Sequence, residues 1–181
     1  MNVLPDGTCF RMETLEEYGK HVDSLRQSYE KFLPTPTSPM TCISTGCYHF
    51  LNGPIDWMQA KSSCEEMNMR LVEIETEEEN RALVEVALKV LGDGVNCFWM
   101  GLTDRAKEGT WVWNSGIEST FTPWHSWEPD NWRGKEHCAL MAGSCANHAG
   151  HPDRWHDFNC KSKDDSEFGG TSTIGAVCEL L

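Results

Sequence analysis

Nine cysteines are spread through the 181 residues, at positions 9, 42, 47, 64, 97, 138, 145, 160 and 178, and no two form a Cys-x-x-Cys pair. Thiolate zinc sites and redox motifs are built on such close pairs, so neither is supported here. A disulfide framework remains, and disulfides persist in oxidising compartments, which implies a secreted, extracellular protein. The odd count leaves at least one thiol free or joined to another chain. The length suits one ordinary domain with a real core plus a short appendage. Eight tryptophans fit a compact fold with few long helices.

Charge narrows the partners. There are 28 Asp and Glu against 15 Lys and Arg, a formal net charge of −13. Nucleic acid and anionic membranes need basic patches, so both are excluded as partners, whereas excess carboxylates suit a hard cation. No stretch reaches the roughly 18 apolar residues of a spanning helix, so membrane insertion is not expected. The opening MNVLPDGTCF holds no apolar run of the secretory kind. A removed signal peptide or a non-native start would account for that.

Residues 1–40 differ from the rest and are expected to form a helical neck and linker, with the main domain at 41–181. From Glu13 to Leu33, apolar side chains recur at Leu15, Tyr18, Val22, Leu25, Tyr29 and Phe32. The gaps alternate three and four, the seam of a coiled coil. Self-association through 13–33, with Cys9 as a candidate interchain bridge, is one expectation; a helix laid on the main domain is the other. Pro34, Pro36 and Pro39 then give an extended spacer. Further on, strands are expected at 47–50, 97–102, 110–113 and 174–180. Helices are expected at 55–69, with Cys64 facing inward, and at 76–91, where Thr76 caps and Glu77, Glu78 and Glu79 meet the positive end. Between 114 and 160 the chain is rich in Trp, Gly, Pro, Asn and His, a long irregular stretch of the kind that carries function.

That stretch holds WEPDNW (127–132), KEHC (135–138) and RWHDFNC (154–160). Glu128, Asp130, Glu136 and Asp157 could supply the oxygen ligands and the charge that calcium requires. Singly, each reads as a solvated acid on an acidic protein. Gathered without a cation, they would repel one another. Pro129 lies between two of them, and a cis X-Pro bond would turn both flanking side chains the same way.

The FWMGL strand (98–102), the EPD and WHD tripeptides, the acid near Cys138 and the cysteine order together resemble the C-type lectin-like domain family, from about Cys42 to Leu180. The resemblance implies an α+β fold with two helices, two small antiparallel sheets and a long calcium-binding loop region. It implies calcium (Ca2+) held by Glu128, Asp130, Glu136, His156 and Asp157, with glycans or glycoproteins as partners. Two neighbouring sugar hydroxyls would bind the calcium and hydrogen-bond to its ligands. Asp130 and His156 stand where Asn is usual in mannose-binding relatives. A carboxylate only accepts hydrogen bonds, whereas an amide also donates. Weak discrimination between terminal mannose-type and galactose-type sugars is therefore expected, with the donor role falling to His156 or water. Trp132 occupies a position where galactose-binding relatives stack an aromatic ring on the sugar. Trp124 and Trp155 match core positions, and Trp127 matches no assigned role. A second calcium site is partly present at Asp104 and Glu108, with Asn131 and His137 where acids are usual.

The resemblance also implies disulfides Cys42–Cys47, Cys64–Cys178 and Cys138–Cys160, leaving Cys97 and Cys145 to pair with each other. Insertions at 142–153 and 161–173 are expected as surface loops. Several histidines crowd the same region, but no H-E-x-x-H run or nucleophile motif is present, so no enzyme is expected. Protonation of His156 is expected to release ligand as pH falls toward about 6. Innate recognition of microbial glycans is the biological setting that the family suggests. The rival is a calcium-independent module of the same fold that serves a structural role or binds protein or mineral.

Overall fold

The computed structural model describes residues 2–3, 9–10, 40–90, 95–142, 152–164, 166 and 173–181. The chain divides into two compact units, Met1–Thr35 and Pro36–Leu181. In the first, strands β1 (Asn2–Val3) and β2 (Cys9–Phe10) pair antiparallel. The expected helix over 13–33 and the proline spacer at 34–39 lie outside the described residues.

The second unit opens with the hairpin β3 (Thr41–Ile43) and β4 (Gly46–Leu51), where Cys42 faces Cys47 in register and is bonded to it. Helix α1 (Trp57–Glu66) begins at Asp56, whose carboxylate accepts from Gln59 N at 2.9 Å while the Gln59 side chain returns to Asp56 N. This reciprocal cap satisfies two donors that the first turn leaves without helical partners. Strand β5 (Met69–Leu71) follows, then helix α2 (Glu77–Val90), capped by Thr76, whose Oγ1 accepts from Glu79 N at 3.2 Å. Strands β6 (Val95–Thr103), β7 (Val112–Trp113), β8 (Glu136–Ala142), β9 (Trp155–Asn159) and β10 (Thr173–Leu180) complete the unit, with one tight turn at Trp132–Gly134.

The strands join in the order β3-β4-β10-β6-β8-β9, with β5 on β10 and β7 on β6. The result is α+β, with two helices among the described residues. The two small sheets expected from the sequence run together, because β10 and β6 pair in parallel at the centre. Burial on both faces explains why these strands read as continuous apolar runs rather than alternating ones. In β6, Phe98, Met100 and Leu102 join one core cluster while Cys97 and Trp99 join the other. Strand β8 repeats the pattern, with Ala139 and Met141 on one side and Cys138 and Leu140 on the other. Helix α2 supplies Leu83, Val84 and Ala87 to the first cluster; α1 supplies Trp57, Ala60 and Cys64 to the second. Gly101 marks a close approach, since a Cβ there would meet the Leu71 carbonyl oxygen at 2.9 Å.

Disulfides tie a helix to the centre of this sheet and fasten strands toward one edge. Cys64 of α1 is bonded to Cys178 of β10 across 114 residues, and Cys138 of β8 to Cys160 just after β9. Cys97 is also disulfide-bonded; Cys145, its expected partner, lies outside the described residues, as does most of each expected insertion. Trp155, fully buried, donates from Nε1 to Asn80 Oδ1 at 2.8 Å, and Asn80 Nδ2 donates to Asp153 O at 2.8 Å. Helix α2 is thereby tied to the start of β9. Asn80 is 1% exposed, so truncation would strand a buried indole donor and a carbonyl. Asn80→Ala is expected to cost about 1–3 kcal/mol, read as a lowered urea midpoint with an unchanged slope.

Candidate functional site

The candidate site is built where residues 123–136 fold against β9. Trp155 N donates to Pro123 O at 3.1 Å and His125 N to Trp155 O at 2.9 Å, so the segment runs as an extra rung beside the strand. Glu128 N closes a turn onto His125 O, and the Glu128–Pro129 peptide is cis. The chain then returns to β9 through one carboxylate: Asp157 Oδ1 accepts from Asp130 N at 3.0 Å and Oδ2 from Asn131 N at 2.8 Å. Asn131, Arg133 and Gly134 all take left-handed backbone angles, which lets the chain double back within six residues. A second clamp closes it, as Trp132 N donates to Glu136 Oε2 at 2.9 Å and Glu136 N to Asn131 Oδ1 at 3.1 Å.

These bonds bring Glu128, Asp130 and Asp157 together, with one carboxylate oxygen from each within 4.8 Å of the others. Asp157 and Glu136 are buried, Glu128 is half-buried and Asp130 is exposed, so the group opens to solvent on one side. Burial is the main reason that the acids hold their protons. It pushes Glu136 up to about 8, with the charges of Asp157 and Asp130 adding to the rise. Asp157 is pushed up to about 7 by burial and by its contact with Glu128. Glu128 is raised for the same first reason.

His156 is placed beside rather than among these oxygens. Its Nδ1 lies 2.9 Å from Glu128 Oε1, and its ring stacks on His125 at a centroid distance of 5.0 Å. Burial lowers its pKa to about 4, so the ring is neutral at ordinary pH and the contact is a hydrogen bond rather than an ion pair. The expected protonation near pH 6 is therefore corrected, because desolvation outweighs the attraction of Asp157 and Asp130.

The donor set fits a hard cation. Three hydrogen bonds are spent on Glu128 Oε1 and the two Asp157 oxygens, yet Glu128 Oε2 is buried with no donor. A buried carboxylate oxygen facing other carboxylates is costly unless positive charge reaches it.

A second group gathers Asp104, Glu108 and His137. His137 Nδ1 lies 3.1 Å from Asp104 Oδ1 and 3.3 Å from Glu108 Oε2, and Asp104 Oδ2 accepts from Gly109 N at 2.8 Å. Asn131 spends its side-chain oxygen on Glu136 N instead. An imidazole thus stands between the two acids of the expected second site.

The guanidinium of Arg133 lies 3.8 Å above the Trp132 ring, so one face of that indole already carries a cation–π contact. Nothing in the sequence singled out Arg133, because its effect depends on a left-handed backbone angle. Trp124 packs against the core with its ring 5.9 Å from Trp155. Trp127, by contrast, is 81% exposed.

A family model described as the lectin C-type domain matches residues 54–166. The alpha-N-acetylgalactosamine-specific lectin of Patiria pectinifera is 32% identical over 132 residues, covering 70% of this chain and 76% of that protein. The low affinity immunoglobulin epsilon Fc receptor of Mus musculus is also 32% identical, over 66% of this chain but only 32% of its own length. Among solved structures, the cow C-type carbohydrate-recognition domain of CD23, crystallised in the presence of GlcNAc2Man3 oligosaccharide, superposes with a TM-score of 0.62 at 28% identity, covering 81% of this chain and 96% of that one. The chain belongs to the C-type lectin domain family.

The raised acids give a sign to the pH response of the metal-free protein. Folded Glu136 and Asp157 bind protons more tightly than an unfolded acid does, so folded stability falls as pH rises from the ordinary carboxylate range through about 7 to about 8 and levels off above. With chelator present, the melting temperature is expected to drop between about pH 6 and about pH 9, and millimolar calcium to raise it more at the higher pH. Calorimetric melts in both buffers check this; equal calcium effects at both pH values would contradict it.

Proposed function

We propose that this domain binds the terminal sugars of glycans through a calcium ion held by Glu128, Asp130, Glu136 and Asp157, with His156 orienting Glu128. The observation that carries the reading is the convergence of three carboxylates, one of which, Glu128, keeps a buried oxygen without a donor, beside an opening to solvent. Family membership supports it, as do the sugar specificity in the name of the Patiria lectin and the oligosaccharide present in the CD23 crystals. Calcium, when bound, supplies positive charge and open coordination positions for two neighbouring hydroxyls.

The side chains do the rest. Glu128 and Asp130, ionised, accept hydrogen bonds from sugar hydroxyls and donate none. With acceptors on both sides, and the Nδ1–H of His156 turned to Glu128, the site discriminates weakly between mannose-type and galactose-type sugars. Trp132 offers the sugar its ring face away from Arg133. Single-site affinity is weak because little surface is buried, and self-association through residues 13–33 and Cys9 would raise avidity. An extracellular setting, with innate recognition of microbial glycans as the role, accords with the disulfides. Among the described residues no helix is long and apolar enough to cross a membrane.

The test is retention on immobilised mannose and galactose in calcium buffer, followed by chelator. Retention on both resins and release by chelator are expected. Glu128→Gln and Asp157→Asn should each weaken calcium binding by about tenfold or more with the fold retained, as seen by calorimetry and circular dichroism. Binding that ignores chelator would point instead to a calcium-independent module.

A further inference from the structure

Beside the carboxylate group lies a cleft of about 250 Å3 that the sugar reading leaves unused. It is lined by Trp124, His125, Ser126 and Arg154. The same rungs that build the primary site build this one, since Trp124 bridges to Trp155 and His125 N bonds to Trp155 O. Arg154 directly precedes Trp155 and is therefore held opposite residues 124–126. The two sites share a wall: His125 stacks on His156, and His156 touches Glu128.

The chemistry of the lining is one-sided. Arg and the Trp indole only donate hydrogen bonds, Ser and His can donate, and among the described residues no carboxylate lines the cleft. On a chain with a formal charge of −13, that is an unusual concentration of donors. Among the described residues Lys61, Arg70, Arg81, Lys89 and Lys163 meet carboxylates and Arg105 and Arg133 lie over indoles, so every other described arginine has a partner. Arg154 is exposed and makes no ion pair with any described residue. Its planar fork matches the paired oxygens of a sulfate or carboxylate.

We propose that this cleft is a subsite for an acidic substituent, a sulfate ester or a carboxylate, on the glycan whose terminal sugar occupies the primary site. The inference rests on the calcium reading, because Glu128, Asp130 and Asp157 would repel an anion next to them unless a divalent cation neutralises them. The cleft volume lies below the roughly 300–1,000 Å3 of a drug-sized pocket, which suits one charged group rather than a whole oligosaccharide.

The experiment compares, by calorimetry in calcium buffer, a neutral galactose- or mannose-terminated disaccharide with its sulfated and its carboxylated forms. The full chain is expected to favour at least one acidic form by about two- to five-fold, the range of a partly exposed ion pair. The preference should shrink in high salt. Arg154→Gln should erase it while leaving neutral-sugar affinity unchanged, and Arg154→Lys should restore part of it. Which acidic form is preferred separates sulfate from carboxylate recognition. Equal affinity for neutral and acidic forms in the unaltered protein would overturn the subsite and leave the calcium reading standing. A preference that survives Arg154→Gln would also overturn it. Failure to bind the neutral sugar in calcium would instead remove the primary reading, and the subsite with it.

Discussion

Crowding of like charge is the constraint around which the loop region is arranged. Glu128, Asp130 and Asp157 place one oxygen each within 4.8 Å of the others, and Glu136, its pKa raised chiefly by burial, stands close enough for the charges of Asp157 and Asp130 to add to the rise. Backbone N–H groups from Asp130, Asn131 and Trp132 offset part of the repulsion by donating to Asp157 and Glu136. Those donors are available only because the loop doubles back through left-handed residues. What the amides leave uncompensated, chiefly at Glu128 Oε2, is what a divalent cation would satisfy.

The scaffold explains how such a costly group can be held. Asp157 sits on β9 two residues after the buried Trp155, which packs against Trp113, Phe121 and Trp124 and bonds to Asn80. Glu136 opens β8, two residues before the disulfide at Cys138. The acids therefore project from strands whose neighbours are fixed by packing and covalent bonds, while Asp130 stays exposed on the loop. A site anchored in this way opens to ligand on one side without losing its geometry.

Legibility in the sequence followed the range of the forces involved. Helix α1 was readable from its amphipathic pattern and α2 from its cap at Thr76 and the acids of its first turn, since these are contacts within a turn or two, whereas the Asp56 cap that starts α1 two residues later than expected emerged only in the structure. The acids of the site were readable as residue types in recognisable tripeptides. The merging of the two sheets through β10 and β6 was not, because parallel pairing joins segments about 75 residues apart with no local signature. Nor was the neutral state of His156, which depends on burial supplied by the surrounding fold.

By itself, the sequence determined the disulfide-dependent class of fold, the α+β order of elements and the acidic residues available for a cation. Those properties reside in residue identity and short-range periodicity. Tertiary structure alone decided that His137 stands between Asp104 and Glu108, that Arg133 covers a face of Trp132, and that Arg154 meets residues 124–126 across a cleft. Each depends on segments brought together by the sheet, or on a single backbone angle, and a linear pattern carries no record of which side chain will meet which.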